Sequence, residues 1–167
     1  MNNIKLNDNY KYWLGGFIEG EGSLTISIVK SEKATHGILL QPEFNVTQHK
    51  NGLNILNSFK CIFNNKGHIF KKSGSKNVWV YSLKGVKNLN EYLIPFYLTY
   101  VVSFSSKYNS NEFNKFVFIL YKLKEKSKFE KFEFIELVTL VYALNPDGKG
   151  KVRKRTLSEV ISIIQKA

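Results

Sequence analysis

The sequence predicts an α+β fold in the order αββαββα: one four-stranded antiparallel sheet with its helices on a single face. Three observations carry this. Apolar and polar residues alternate from Ser23 to Ile28 and from Glu43 to Thr47, the period of two expected of half-buried strands. A second pair of strand-like runs, His68 to Lys72 and Asn77 to Leu83, flanks a Ser73-Gly74-Ser75 turn and reads as a hairpin. Each hairpin follows a stretch with helical spacing, and the C-terminal part of the chain is helical throughout. Such a chain buries its apolar surface by joining both hairpins into one sheet beneath the helices. The other sheet face, rich in Ser, Thr, Asn, Glu and Lys, is then left free.

In order, Asp8 or Asn9 caps a first helix running from about Tyr10 to Gly20. The first strand places Leu24, Ile26 and Ile28 on one face, and a polar turn leads to a second strand from about Ile38 to Gln48. Pro42 lacks an N–H, which predicts an edge or bulged strand. Asn51 to Phe63 reads as a helix burying Leu53, Leu56, Phe59, Ile62 and Phe63, followed by a turn at Asn64-Asn65-Lys66-Gly67. Gly85 to Tyr100 is a further helix, interrupted at Pro95. Helical spacing returns from Glu112 to Lys124. Ser127 with Glu130 has the form of a capping box opening a helix to about Leu144, and Thr156 with Glu159 forms a second.

At 167 residues the chain is expected to form one domain over residues 1–167. Its net charge of +12 and pI near 9.7 point to nucleic acid or another anionic partner. Lysines number 23 against two arginines, and Asn, Phe, Ile and Tyr are abundant. All are favoured by A·T-rich coding, which points to an organellar genome, mitochondrial or chloroplast. Cys61 is the only cysteine, so neither a disulfide framework nor a cysteine zinc site is available within one chain. The N-terminus does not read as a secretory signal, and no apolar run approaches the length of a membrane span. His36, His49 and His68 have no metal-ligand spacing.

The segment from Trp13 to Ser23 breaks two propensity rules. Gly15 and Gly16 lie inside a helix, where each glycine costs about 1 kcal/mol relative to alanine. Gly16 and Gly20, four apart, share one face and would let another helix approach closely. Glu19 and Glu21 fall at the helix C-terminus, whose partial negative charge disfavours acids. Two readings fit the acids: a glycine-rich turn with solvated carboxylates, or oxygen ligands for a hard divalent cation.

Leu14 to Gly22 resembles the signature of LAGLIDADG homing endonucleases at all nine positions, with Gly15 for alanine and glutamate for both aspartates. The resemblance extends to the αββαββα order and covers nearly the whole chain. It implies a LAGLIDADG homing-endonuclease fold whose sheet forms a DNA-binding saddle. It implies site-specific double-strand cleavage by metal-assisted phosphodiester hydrolysis. The metal would be Mg2+, with Mn2+ as a substitute and Ca2+ as an ion that binds without supporting cleavage. Glu21 and the backbone carbonyl of Gly20 would be the metal ligands, Glu19 a structural residue at the helix end. Gln48 would order active-site water, and Lys107 would stabilise developing phosphate charge. The family places a basic residue a few positions after the glutamine. Gly52 stands there in this chain, with His49 and Lys50 as the available substitutes.

Candidate DNA contacts are Ser27, Lys30, Gln41, Glu43 and Asn45 on the first hairpin and Lys71, Lys72, Lys76, Asn77 and Trp79 on the second. The basic cluster Lys151, Arg153, Lys154 and Arg155 precedes a capped helix N-terminus, a place that favours phosphate. One motif supplies one key carboxylate, whereas a double-strand cut needs two sites. The expected assembly is therefore a homodimer packed through Leu14, Gly15, Gly16, Phe17 and Gly20, reading a long pseudo-palindrome. Two rival readings use the same fold: a maturase acting on host intron RNA, and a DNA-binding protein without nuclease activity. Retention of both acids and Gln48 argues against the second.

Overall fold

A computed structural model describes residues 6–126, 128–145 and 153–167. Its first helix, α1 (Asp8–Glu21), is capped by Asn7, whose side chain accepts from the Tyr10 N–H, one residue before the expected caps. It runs into strand β1 (Gly22–Lys30) with no linker. A Cβ at Gly22 would lie 2.6 Å from the Ile18 carbonyl oxygen, so only glycine lets the chain leave the helix this tightly.

Strand β2 (Ile38–His49) pairs antiparallel with β1 from Gly22↔Val46 to Lys30↔Ile38. A 3-10 turn (Lys50–Gly52) then leads into α2 (Leu53–Ile62). The second hairpin is β3 (His68–Lys71) and β4 (Val78–Lys84). The sheet order is β1-β2-β4-β3, so β2 is an inner strand rather than the expected edge. Pro42 is tolerated because β4 stops at Lys84, opposite Glu43. The Pro42 carbonyl faces that end and accepts from the Gly85 N–H at 3.1 Å, so the missing donor of Pro42 faces no strand.

The remaining helices are α3 (Val86–Asn88), α4 (Ile94–Tyr100), α5 (Lys107–Glu125), α6 (Lys131–Tyr142) and α7 (Leu157–Lys166). The expected break at Pro95 falls just before it, as a π-helical turn over Leu89–Leu93. Proline cannot donate to the preceding turn, and the widened turn pairs Ile94 N–H with Leu89 O instead. α5 begins five residues earlier than expected because Ser106 caps it. The capping box of α6 is made by Glu130 and Glu133 rather than by Ser127, which lies outside the described residues. The Thr156–Glu159 box is as expected.

One apolar cluster joins Leu14, Ile18, Ile26, Phe44, Val46, Phe59, Tyr81 and Leu83 to α5, α6 and α7. The polar side chains between these strand residues occupy the sheet's other, open face. Along the outer edge of β1, Asn145 Nδ2 donates to Leu24 O at 2.8 Å and Arg153 donates to Ile26 O at 3.0 Å. Arg153 also binds Val141 O at 2.8 Å and lies over the Tyr142 ring. Buried Glu112 holds this arrangement, pairing with Lys115 and accepting from Asn145 N–H at 2.6 Å.

The expectation that Arg153 clamps phosphate is therefore corrected: its guanidinium closes a sheet edge. Arg153→Ala should destabilise the fold by about 1–3 kcal/mol, the cost of orphaned carbonyls. Denaturant unfolding measures that loss, and the salt dependence of DNA binding should stay unchanged.

Candidate active site

The predicted catalytic residues lie on elements that converge on the C-terminal end of α1: α1 itself, the end of β2 and the start of α5. Glu19 and Glu21, alike in the sequence, are in different surroundings. Glu19 is half-buried, its Oε1 accepting from Ser106 N–H at 2.8 Å, while its backbone carbonyl accepts from Asn109 Nδ2 at 3.5 Å. Ser106 is the N-cap of the 19-residue α5, so the Glu19 carboxylate meets the positive end of that helix dipole. Burial pushes the Glu19 carboxyl up, but hydrogen bonds from Ser106, Ser105 and Asn109 outweigh it and leave its pKa below the ordinary 4.5. The folded state thus prefers the charged form. The stabilisation is fully present above the ordinary value and is lost as pH falls through the lowered one. Glu19→Gln should melt below wild type at neutral pH, with the gap closing in acid. A gap that stays constant with pH would refute the charge–dipole account.

Glu21 is exposed and has no side-chain partner among the described contacts. Compensation for an acid at this helix end is thus supplied internally for Glu19, by neutral donors and the start of α5, and not for Glu21. The Gly20 carbonyl beside it belongs to the last turn, whose oxygens have no donor further along the helix. Carboxylate plus carbonyl is an oxygen donor set suited to Mg2+. Among the described residues no three metal-binding side chains converge, and of the two acids of the motif Glu21 is the one left without a partner.

β2 runs three residues past the last β1 pair, Gly22↔Val46, and Gln48, two residues past it, lies on the side of the end of α1. Gln48 folds back, Oε1 accepting from His49 N–H at 2.7 Å. A Cβ at Gly52 would lie 2.4 Å from Gln48 Cγ, so Gly52 makes room for this rotamer where a basic side chain was expected. His49 Nδ1 accepts from Asn51 N–H, while Lys50 is exposed. Lys107, first residue of α5, is exposed and follows the Ser106 that binds Glu19.

The open sheet face carries Ser27, Gln41, Glu43 and Asn45 as predicted, with Thr25, Thr47, His49 and Lys84 beside them, while Ser82 on the same face is buried. Strict alternation from the predicted residues would have found these neighbours on β1 and β2. Glu43 is paired with Lys84 at 2.8 Å and accepts from Thr25 at 3.4 Å. Lys72, Lys76 and Asn77 lie exposed in the second hairpin's turn. Trp79 is a correction: it pairs with Gln48, shares the face of Tyr81 and Leu83, and packs against the core. Lys30 and Lys71 have that same helix-side parity but are exposed at strand ends. Of the basic cluster, Lys154 is exposed and Arg155 half-buried, and Lys151 lies outside the described residues.

Two predicted dimer residues are also corrected. Leu14 is fully buried in the chain's own core, and a Cβ at Gly15 would lie 2.1 Å from the Tyr100 carbonyl oxygen of α4. Gly16 and Gly20 instead face open space, flanked by half-exposed Trp13 and partly buried Phe17, which stack on each other. Trp13, three residues before Gly16, follows the same helical spacing and was legible from it.

The model of the LAGLIDADG endonuclease family matches residues 14–120, from the first residue of the nine-position signature to Leu120 in α5. The chain belongs to that family. It is 42% identical over 106 residues to DNA endonuclease I-CeuI of Chlamydomonas moewusii, covering 64% of this chain and 48% of that protein. The chain thus spans about half the length of this relative. The structure is similar to the archaeal intron-encoded homing endonuclease I-Vdi141I complexed with DNA, with a TM-score of 0.83 and 31% identity over 95% of this chain and 96% of that one. It is also similar to the group I intron-encoded I-CeuI complexed with DNA, with a TM-score of 0.82 and 28% identity over 98% and 79%. The LAGLIDADG fold read from the sequence is thus the fold observed.

Proposed function

We propose that this chain is a site-specific double-strand DNA endonuclease of the homing type, acting as a homodimer with a divalent metal. The observation that carries this reading is the separation of the two acids. The Glu19 carboxylate is satisfied by the start of α5, whereas Glu21 is exposed and has no described partner. The polar open sheet face and the net charge of +12 suit a DNA partner, and the DNA-complexed relatives share the fold.

In this reading Glu21 and the Gly20 carbonyl would hold Mg2+. A metal bound there would lower the pKa of water and stabilise the leaving oxygen. Gln48 orients water, and Lys107 offers a point cation to the phosphate. The 167 residues act as one domain around the single apolar cluster. The bias of lysine over arginine supports an A·T-rich organellar genome.

The test is selection of a cleaved site from a random duplex library, followed by digestion of plasmid carrying it. Linear product is expected with Mg2+ or Mn2+, and none with Ca2+ or chelator. If folded protein cuts no library member in either supporting metal, the nuclease reading is wrong.

A further inference from the structure

The open sheet face is not uniformly polar. Val29 and Leu39 are register partners across β1 and β2, both on this face, and they are 37% and 44% exposed. Behind them come Ser27↔Gln41, Thr25↔Glu43 and Ser23↔Asn45, all polar. Among the described residues the other large exposed apolar strand residue is Phe70, whose partner Val80 is buried, so it presents no pair. The remaining large exposed hydrophobics lie on helices or their connections. Val29 and Leu39 thus form an isolated apolar step at the far end of a polar ribbon.

We infer that Val29 and Leu39 read thymine 5-methyl groups in the major groove, making them determinants of sequence specificity. The inference rests on the proposed DNA-binding role of this face. A two-stranded ribbon fits the major groove, where the thymine methyl is the one apolar feature a base pair displays. Lysine-rich surroundings supply the phosphate attraction that brings the ribbon in. Position follows from strand geometry. Val29 lies seven residues beyond Gly22, where β1 begins, which is about 23 Å at roughly 3.3 Å per residue. Counted along B-DNA at about 3.4 Å per base step, the contact falls about seven base pairs from the centre of the site.

The test uses a cleaved site recovered from the random library, synthesised with thymine or with deoxyuridine, which lacks only the methyl. Wild type should bind the uridine duplex about fourfold more weakly per methyl contacted, the effect confined to positions about seven base pairs from the centre. Val29→Ser and Leu39→Ser, both exposed and outside the catalytic centre, should remove that difference while preserving folding and binding to the rest of the site. Selection with the double variant should relax base preference at those positions alone. Wild type binding both duplexes equally would overturn the inference while leaving the DNA reading intact, as would variants that keep the full thymine preference. Absence of any site-specific binding would instead defeat the proposed function itself.

Discussion

Glu21→Gln is expected to abolish strand cleavage while leaving folding and DNA binding within a few-fold of wild type. The substitution keeps shape and removes charge at a residue that is exposed and has no described intramolecular partner, so the fold loses nothing. What is lost is the carboxylate of the motif that remains without a partner once Glu19 is committed to Ser106. Outer-shell partners of metal ligands cost 10–100-fold when removed, so a direct ligand should cost at least about 100-fold in cleavage rate. Single-turnover cleavage and gel-shift binding on the same duplex separate the two quantities. Glu21→Gln that cut at the wild-type rate would remove Glu21 from the chemistry.

The signature and the alternation of the strands made the fold legible, because both depend on local spacing. The two acids were legible as a pair, but their difference was not. It depends on Ser106, 87 residues downstream of Glu19, being brought to the end of α1 by tertiary packing. The same limit explains Arg153. In sequence it belongs to a run of basic residues, and only the fold shows Ile26 and Val141 carbonyls waiting for it. Pro42 was misread in the opposite direction. The edge rule is sound, but the relevant edge is the end of β4, not the rim of the sheet. Trp79 was expected among the DNA contacts from its place in the second hairpin, and the register with Gln48 puts it on the helix side instead.

The two adjacent glycines of α1 give the sharpest contrast. Gly15→Ala should be destabilising although it replaces glycine by the best helix former. Its Cβ would lie 2.1 Å from the Tyr100 carbonyl oxygen and 2.9 Å from the carbonyl carbon, and α4 cannot yield these backbone atoms as a side chain could. Overpacking of this kind costs about 1–3 kcal/mol or more, exceeding the roughly 1 kcal/mol gained in helix propensity. Gly16→Leu should do the reverse. A Cβ there meets nothing within 4 Å, so the isolated chain should be as stable as wild type or more so, by up to about 1 kcal/mol. In the proposed homodimer a leucine on the bare Gly16–Gly20 stripe would nevertheless push the partner helix away, and a C2 interface would apply that insult twice. Denaturant unfolding should therefore rank Gly16→Leu at or above wild type and Gly15→Ala below it. Sedimentation should find Gly16→Leu monomeric, and double-strand cleavage should be lost with the dimer. A Gly16→Leu protein that still sediments as a dimer and cuts both strands would show that the chains meet elsewhere.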